Sequence, residues 1–173
     1  MSGGIIVFGA NGAGKTTLGR ELARRLGFKY MDIEDYYFAP AAIPYTRPRS
    51  RDEAIGLLLA DIEKHGAFVL SAVTGDFGEE ITALYDLAVY LTAPKEVRMR
   101  RIEQRGYECF GERVREGGDM CEQELKFCAW AAARDLSKID QWADSLTCPV
   151  LRLDGAKDIA ENAEWAAGEY RHL

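Results

Sequence analysis

The sequence predicts a three-layer α/β fold, a five-stranded parallel sheet covered by helices on both faces, and three observations predict it. Short runs rich in Ile, Val and Leu alternate with stretches of helical period along the 173 residues. The first apolar run passes into a helix through a glycine-rich turn, Gly9–Gly14. Gly27 and Pro94 then punctuate helix boundaries where those residues belong.

Gly4–Phe8, rich in Ile and Val, reads as the first buried strand. Gly14–Leu26 follows as an amphipathic helix with Leu18, Leu22 and Leu26 at i, i+4 and i+8, closed by Gly27 at the C-cap. Phe28–Asp32 and Ala67–Ala72 read as strands two and three. Asp86–Leu91 is the fourth, ended by Thr92-Ala93-Pro94, and Pro94 opens a helix over Lys95–Arg105. Val150–Leu153 is the fifth strand and Ile159–Tyr170 the closing helix. Parallel strands joined this way require right-handed crossovers. Tyr36–Arg51, with its Pro, Arg and aromatic residues, and Gly106–Asp119, with four glycines, have no clear period. Both read as functional loops on one core, so residues 1–173 are expected to form a single domain.

Composition narrows the function. Hydrophobic residues make up 47% of the chain, which suits a globular domain. A net charge of −6 argues against a general nucleic-acid binder. No apolar run reaches the roughly 18–20 residues of a membrane span. Met1-Ser2-Gly3-Gly4 carries no basic leader, so no signal peptide is expected. Cys109, Cys121, Cys128 and Cys148 show no CxxC spacing, which favours reduced thiols and a cytoplasmic protein over a zinc or disulfide scaffold. Monomer and dimer are equally compatible with this reading.

Gly9-Ala10-Asn11-Gly12-Ala13-Gly14-Lys15-Thr16 matches GxxxxGK[ST], the Walker A phosphate loop, between a strand and a helix as that motif requires. Backbone N–H groups of Gly9, Asn11, Gly12, Ala13 and Gly14 would turn inward on the phosphates at a helix N-terminus, with Thr17 beside them. Lys15 would meet the β- and γ-phosphates, and the Thr16 hydroxyl would ligate magnesium. Asp32-Ile33-Glu34-Asp35 ends strand two, outside the carboxyl ends of the strands where such sheets bind ligands. Carboxylates beside a triphosphate need a cation or a hydroxyl between. Asp32 is therefore a candidate for magnesium or for activating a hydroxyl, and Glu34 or Asp35 for gripping an acceptor. An acidic strand-end turn is the plainer alternative. Arg98, Arg101 and Arg105 fall at i, i+3 and i+7 on one helical face.

Together with Val89-Tyr90-Leu91-x-Ala93-Pro94-x-Glu96-Val97-Arg98 and Arg101-x-x-x-Arg105, these motifs resemble the nucleoside-monophosphate, shikimate and gluconate kinase superfamily. No single member is matched: Glu34 stands where shikimate kinases have a second Asp, and Ser71–Asp76 replaces their glycine triplet. The resemblance implies that Arg101 packs on adenine and Arg105 neutralises transition-state charge. It also implies that Gly106–Asp119 is a short mobile lid carrying Arg113 and Arg115 over ATP. Gly117-Gly118-Asp119 reads equally as a hinge or as a helix-entry turn with Asp119 as N-cap. Gly155, Ala156 and Lys157 resemble the loop that reads adenine, with a plain strand-to-helix turn as the alternative. Arg134 is either a phosphate contact or a helix-surface arginine. An acceptor-binding segment is implied over about residues 35–60, with Tyr36, Tyr37, Tyr45, Arg47, Arg49 and Arg51 available for an anion or a ring.

The expected activity is a magnesium-dependent transfer of the γ-phosphoryl group of ATP to a small metabolite, a shikimate kinase-like transferase. The expected partners are ATP, ADP and an unidentified acceptor. A non-kinase ATPase or a nucleotide-sensing module remains as the rival class.

Overall fold

A computed structural model describes residues 3–173; Met1 and Ser2, on which the expectation of no leader partly rests, lie outside the described residues. The elements run β1 (Gly4–Phe8), α1 (Lys15–Leu26), β2 (Lys29–Asp32), α2 (Ile33–Tyr37), α3 (Arg51–His65) and β3 (Phe68–Ala72). There follow α4 (Glu79–Thr82), β4 (Tyr85–Thr92), α5 (Lys95–Phe110), a 3₁₀ turn (Gly111–Val114), α6 (Cys121–Ala133), α7 (Ser137–Ser145), β5 (Val150–Asp154) and α8 (Ile159–Arg171). The sheet is wholly parallel in the order β2-β3-β1-β4-β5. All five predicted strands are present, each within one residue of its expected bounds at either end.

The central strand β1 is buried along its whole length and splits its side chains by the two-residue period of a strand. Ile5 and Val7 join Leu18 and Leu22 of α1 and Ala163, Ala166 and Ala167 of α8 on one face. Ile6 and Phe8 face Leu58 and Ile62 of α3 and Ile139 and Ala143 of α7 on the other. Burying each leucine of α1 contributes about 1.5–3 kcal/mol, so the leucine stripe read from the sequence fixes which face of α1 meets the sheet. Among the described residues no helix is long and apolar enough to cross a membrane.

Two boundaries differ from expectation. α5 does not stop at Arg105 but continues through Phe110, absorbing the first five residues of the expected lid. Gly106 within it is buried against α6, and that packing offsets the roughly 1 kcal/mol a helical glycine costs relative to alanine. Asp119 is not the cap of α6. Met120 takes that position without a side-chain bond, because the Asp119 carboxylate is engaged by Arg113 at 2.8–2.9 Å.

One close approach sets the site. α1 crosses β3 at Gly19, where an added Cβ would lie 2.5 Å from Ser71 Oγ and 2.8 Å from the Tyr30 ring. The Ser71 hydroxyl donates to the Lys15 carbonyl at 3.2 Å, pinning the first turn of α1 to the end of β3. Gly19→Ala is expected to destabilise the protein by about 1–3 kcal/mol through overpacking, read as a lower urea midpoint. An unchanged midpoint would mean that α1 shifts without cost.

Candidate functional site

The glycine-rich turn wraps as its sequence requires: Gly9, Gly12 and Gly14 have φ of 148°, 80° and 100°, values that side-chain-bearing residues rarely adopt. The turn is braced from behind by α5. Arg98, almost fully buried, donates to the carbonyls of Ala93 (3.2 Å) and Asn11 (3.4 Å). Arg101 donates to the carbonyls of Gly12, Ala13 and Gly155 at 3.3, 3.1 and 2.8 Å. The three predicted arginines share a face: Arg98 and Arg101 turn inward to hold the loop, while Arg105 is exposed and bonds to the Tyr45 hydroxyl. Arg101 ties the phosphate loop to the turn after β5, where Asn162 in turn donates to the Asp154 carbonyl at 2.9 Å.

Asp32 lies two strands from the loop in the sheet, yet the path of α1 over β3 brings it alongside. The Thr16 hydroxyl donates to Asp32 Oδ2 at 3.2 Å and the Tyr30 hydroxyl to the same oxygen at 3.1 Å. Asp32 Oδ1 accepts from the Glu34 amide at 3.2 Å and caps α2. One Asp32 oxygen thus caps the acidic turn, and the other meets Thr16 beside the loop. Lys15 Nζ donates to the Ala10 carbonyl at 3.0 Å.

Two clefts open on this cluster. The first, about 550 Å³, runs from Gly12–Thr17 past Arg20, Arg101 and Arg105 to Gly155, Lys157 and Asn162. The second, about 350 Å³, lies between Asp32, Glu34, the 38–45 loop and α6. They share Gly12, Lys15, Thr16, Ile102 and Arg105. The second is shaped by a hairpin-like bridge of Phe38 to Pro48, closed by Ala39 N to Arg47 O (2.8 Å) and Arg49 N to Tyr37 O (2.7 Å).

A family model for AAA domains matches residues 5–124, which spans the phosphate loop, Asp32 and the arginine helix. The chain belongs to the AAA-domain family. Its fold is that of the P-loop small-molecule kinases, and no one member is singled out. It is 28% identical over 172 residues to the uncharacterised protein YqaC of Bacillus subtilis (strain 168), covering 95% of each chain. It is 37% identical to a shikimate kinase of Neisseria meningitidis serogroup C over 114 residues, 58% of this chain and 65% of that one. Among solved structures, a gluconokinase from Sinorhizobium meliloti 1021 superposes with a TM-score of 0.56 at 18% identity, covering 99% of this chain and 93% of that one. A shikimate kinase from Acinetobacter baumannii in complex with shikimate gives 0.53 at 20%, covering 94% and 89%.

Within this AAA-domain protein the predicted residues separate into three groups. Gly12, Lys15, Thr16 and Arg105 lie where the clefts meet. Ala13, Gly14, Thr17, Arg101, Gly155 and Lys157 line only the first cleft, and Asn11, Asp32 and Glu34 only the second. Arg47, Arg49, Asp35, Arg113 and Arg115 line neither. Arg49 donates to the Asp35 and Tyr36 carbonyls at 3.0 and 2.9 Å, and Arg51 to the Asp76 carbonyl at 3.4 Å. Arg113 is paired with Asp119, while Arg115 lies 3.4 Å from Glu112 and over the Tyr107 ring. Arg134, left open by the sequence, donates to Asn11 Oδ1 at 3.1 Å above the loop. Met120 and, in α6, Gln123, Glu124 and Phe127 were not foreseen, because a helical stretch with no motif carries no sign of what it will face.

Burial pushes the Lys15 ammonium down to about 8, against the pull of the Glu34 and Asp32 carboxylates. A bound triphosphate would raise it again. Nucleotide binding is therefore expected to take up most of one proton at pH 9 and almost none through Lys15 at pH 6.5. Affinity should fall as pH rises through about 8. Calorimetry in buffers of different ionisation enthalpy measures the uptake directly, and equal uptake at both pH values would remove Lys15 from the phosphate grip.

Proposed function

We propose that the protein transfers the γ-phosphoryl group of ATP to a hydroxyl of a small metabolite. The observation that carries this reading is the meeting of two clefts at Lys15, Thr16 and Arg105, since hydrolysis needs one cleft and transfer between two molecules needs two. ATP would lie in the first cleft with its phosphates in the loop and its base toward Gly155, Ala156 and Lys157. The acceptor would lie in the second, its hydroxyl near Asp32. Its oxygen bonds to the γ-phosphorus as the bond to the bridging oxygen breaks. ADP leaves with that electron pair, and Asp32 is at hand for the hydroxyl proton.

The residues fit magnesium. Thr16 and Asp32 present hard oxygens 3.2 Å apart beside the loop, and no cluster of three or more His, Cys, Asp or Glu among the described residues is arranged to hold a metal alone. Magnesium commonly arrives with the phosphates and keeps several waters, so this sparse donor set suits it. Bound there it would neutralise charge on the β- and γ-phosphates. Lys15 and Arg105 supply the protein's own positive charge around the transferred group, and the bracing by Arg98 and Arg101 holds the loop in shape before ATP arrives.

The test is ADP formation measured with and without candidate acceptors. Acceptor-dependent release supports transfer. Release that ignores every acceptor would indicate an ATPase, and tight binding with no release a sensing module.

A further inference from the structure

Every cation lining the second cavity is already engaged. Only Lys15 and Arg105 reach it; Lys15 belongs to the phosphate loop, and Arg105 donates to the Tyr45 hydroxyl at 2.9 Å and lies 3.6 Å from Glu34. The arginines that would have suited an anion are turned elsewhere, Arg49 and Arg51 onto backbone carbonyls and Arg47 away from the lining. Three carboxylates line the cavity, those of Asp32, Glu34 and Glu124. Glu124 forms no ion pair among the described residues, and its carboxylate accepts from the Cys128 thiol at 3.8 Å. It is built in: a Cβ on Gly106 of α5 would collide with its carboxylate, so the glycine gives it room against the cavity wall.

Four aromatic rings also line the cavity, alongside aliphatic and neutral polar side chains such as Ile33, Val73, Met120 and Gln123. Phe38 and Tyr45 meet edge to face with centroids 5.4 Å apart, and Phe110 and Phe127 stand on the α5–α6 side. Tyr45 is the one non-glycine residue with positive φ (64°) among the described residues, and its hydroxyl is tied to Arg105. Such backbone conformations persist where the surroundings over-determine them. An anionic acceptor would meet three carboxylates and no free cation, whereas N–H donors and an aromatic-facing surface would find partners.

We propose that the acceptor is an alcohol of monosaccharide to nucleoside size that carries N–H donors and no negative charge, with its donors held by Glu124 and Glu34. Its apolar face would lie on Phe38, Tyr45 and Phe127. This rests on the phosphotransfer reading of the same cavity.

The experiment pairs ADP release with saturation-transfer NMR, using two probe sets in the presence of magnesium and ATP or a non-hydrolysable analogue. Glucosamine and uridine form the first set; gluconate, shikimate and uridine monophosphate form the second. Binding and turnover confined to the first set are expected. Glu124→Gln should raise the KM of the best member about tenfold with kcat within twofold, since the isosteric change removes charge but not packing. Turnover of an anionic probe that is insensitive to Glu124→Gln overturns the substrate class and leaves the kinase reading standing. Binding of the first set with no ADP release from any probe overturns the kinase reading and leaves the cavity's selectivity standing. Failure of every first-set probe in both measurements overturns the proposal.

Discussion

Lys15→Ala is expected to bind ATP with magnesium roughly 10- to 150-fold more weakly than the parent, the loss of one charge-assisted bond to phosphate worth about 1.5–3 kcal/mol. The fold should survive. Among the described residues the ammonium holds one partner, the Ala10 carbonyl, and its burial already disfavours its charge. Removing it therefore relieves a penalty in the free protein while stripping the site of its central cation. Calorimetric titration beside a urea melt separates the two effects. Parent-like affinity in a folded variant would show that the loop amides and Arg105 grip the phosphates without it.

Asp32→Asn should lower turnover by about 10²-fold or more while leaving metal-free ATP binding nearly as it was. Asparagine caps a helix as well as aspartate does, so α2 keeps the bond now made by Asp32 Oδ1 to the Glu34 amide. What is lost is the negative charge beside Thr16. The defect should thus appear in the magnesium dependence and the maximal rate, not in stability. An unchanged maximal rate at saturating magnesium would take Asp32 out of the chemistry and leave it a cap.

These two residues were legible because each belongs to a local pattern. Lys15 follows a glycine spacing that only one kind of turn satisfies, and Asp32 ends an apolar run whose direction in the sheet places it at the ligand-binding edge. The arginine face of α5 was legible for the same reason, since a 3.6-residue period declares which side chains share a side. That Arg98 and Arg101 spend their donors on loop carbonyls was not, because an identical period describes a helix facing water. Arg113 and Arg115, drawn toward ATP by resemblance, are instead held by Asp119, Glu112 and Tyr107 on their own segment.

The strand set, the phosphate loop and the leucine stripe of α1 were determined by the sequence alone, since they rest on propensity and period within a few residues. The strand order, the crossing of α1 over β3 at Gly19 and the second cavity were decided only by the tertiary structure. Thr16 meets Asp32 because a helix is pressed onto an intervening strand, and Glu124 lines the same cavity as Glu34 because α5 runs five residues beyond its expected end and seats α6 against it. Contacts between distant segments depend on packing that no local spacing records. For that reason the phosphate loop was readable in advance and the character of the second cavity was not.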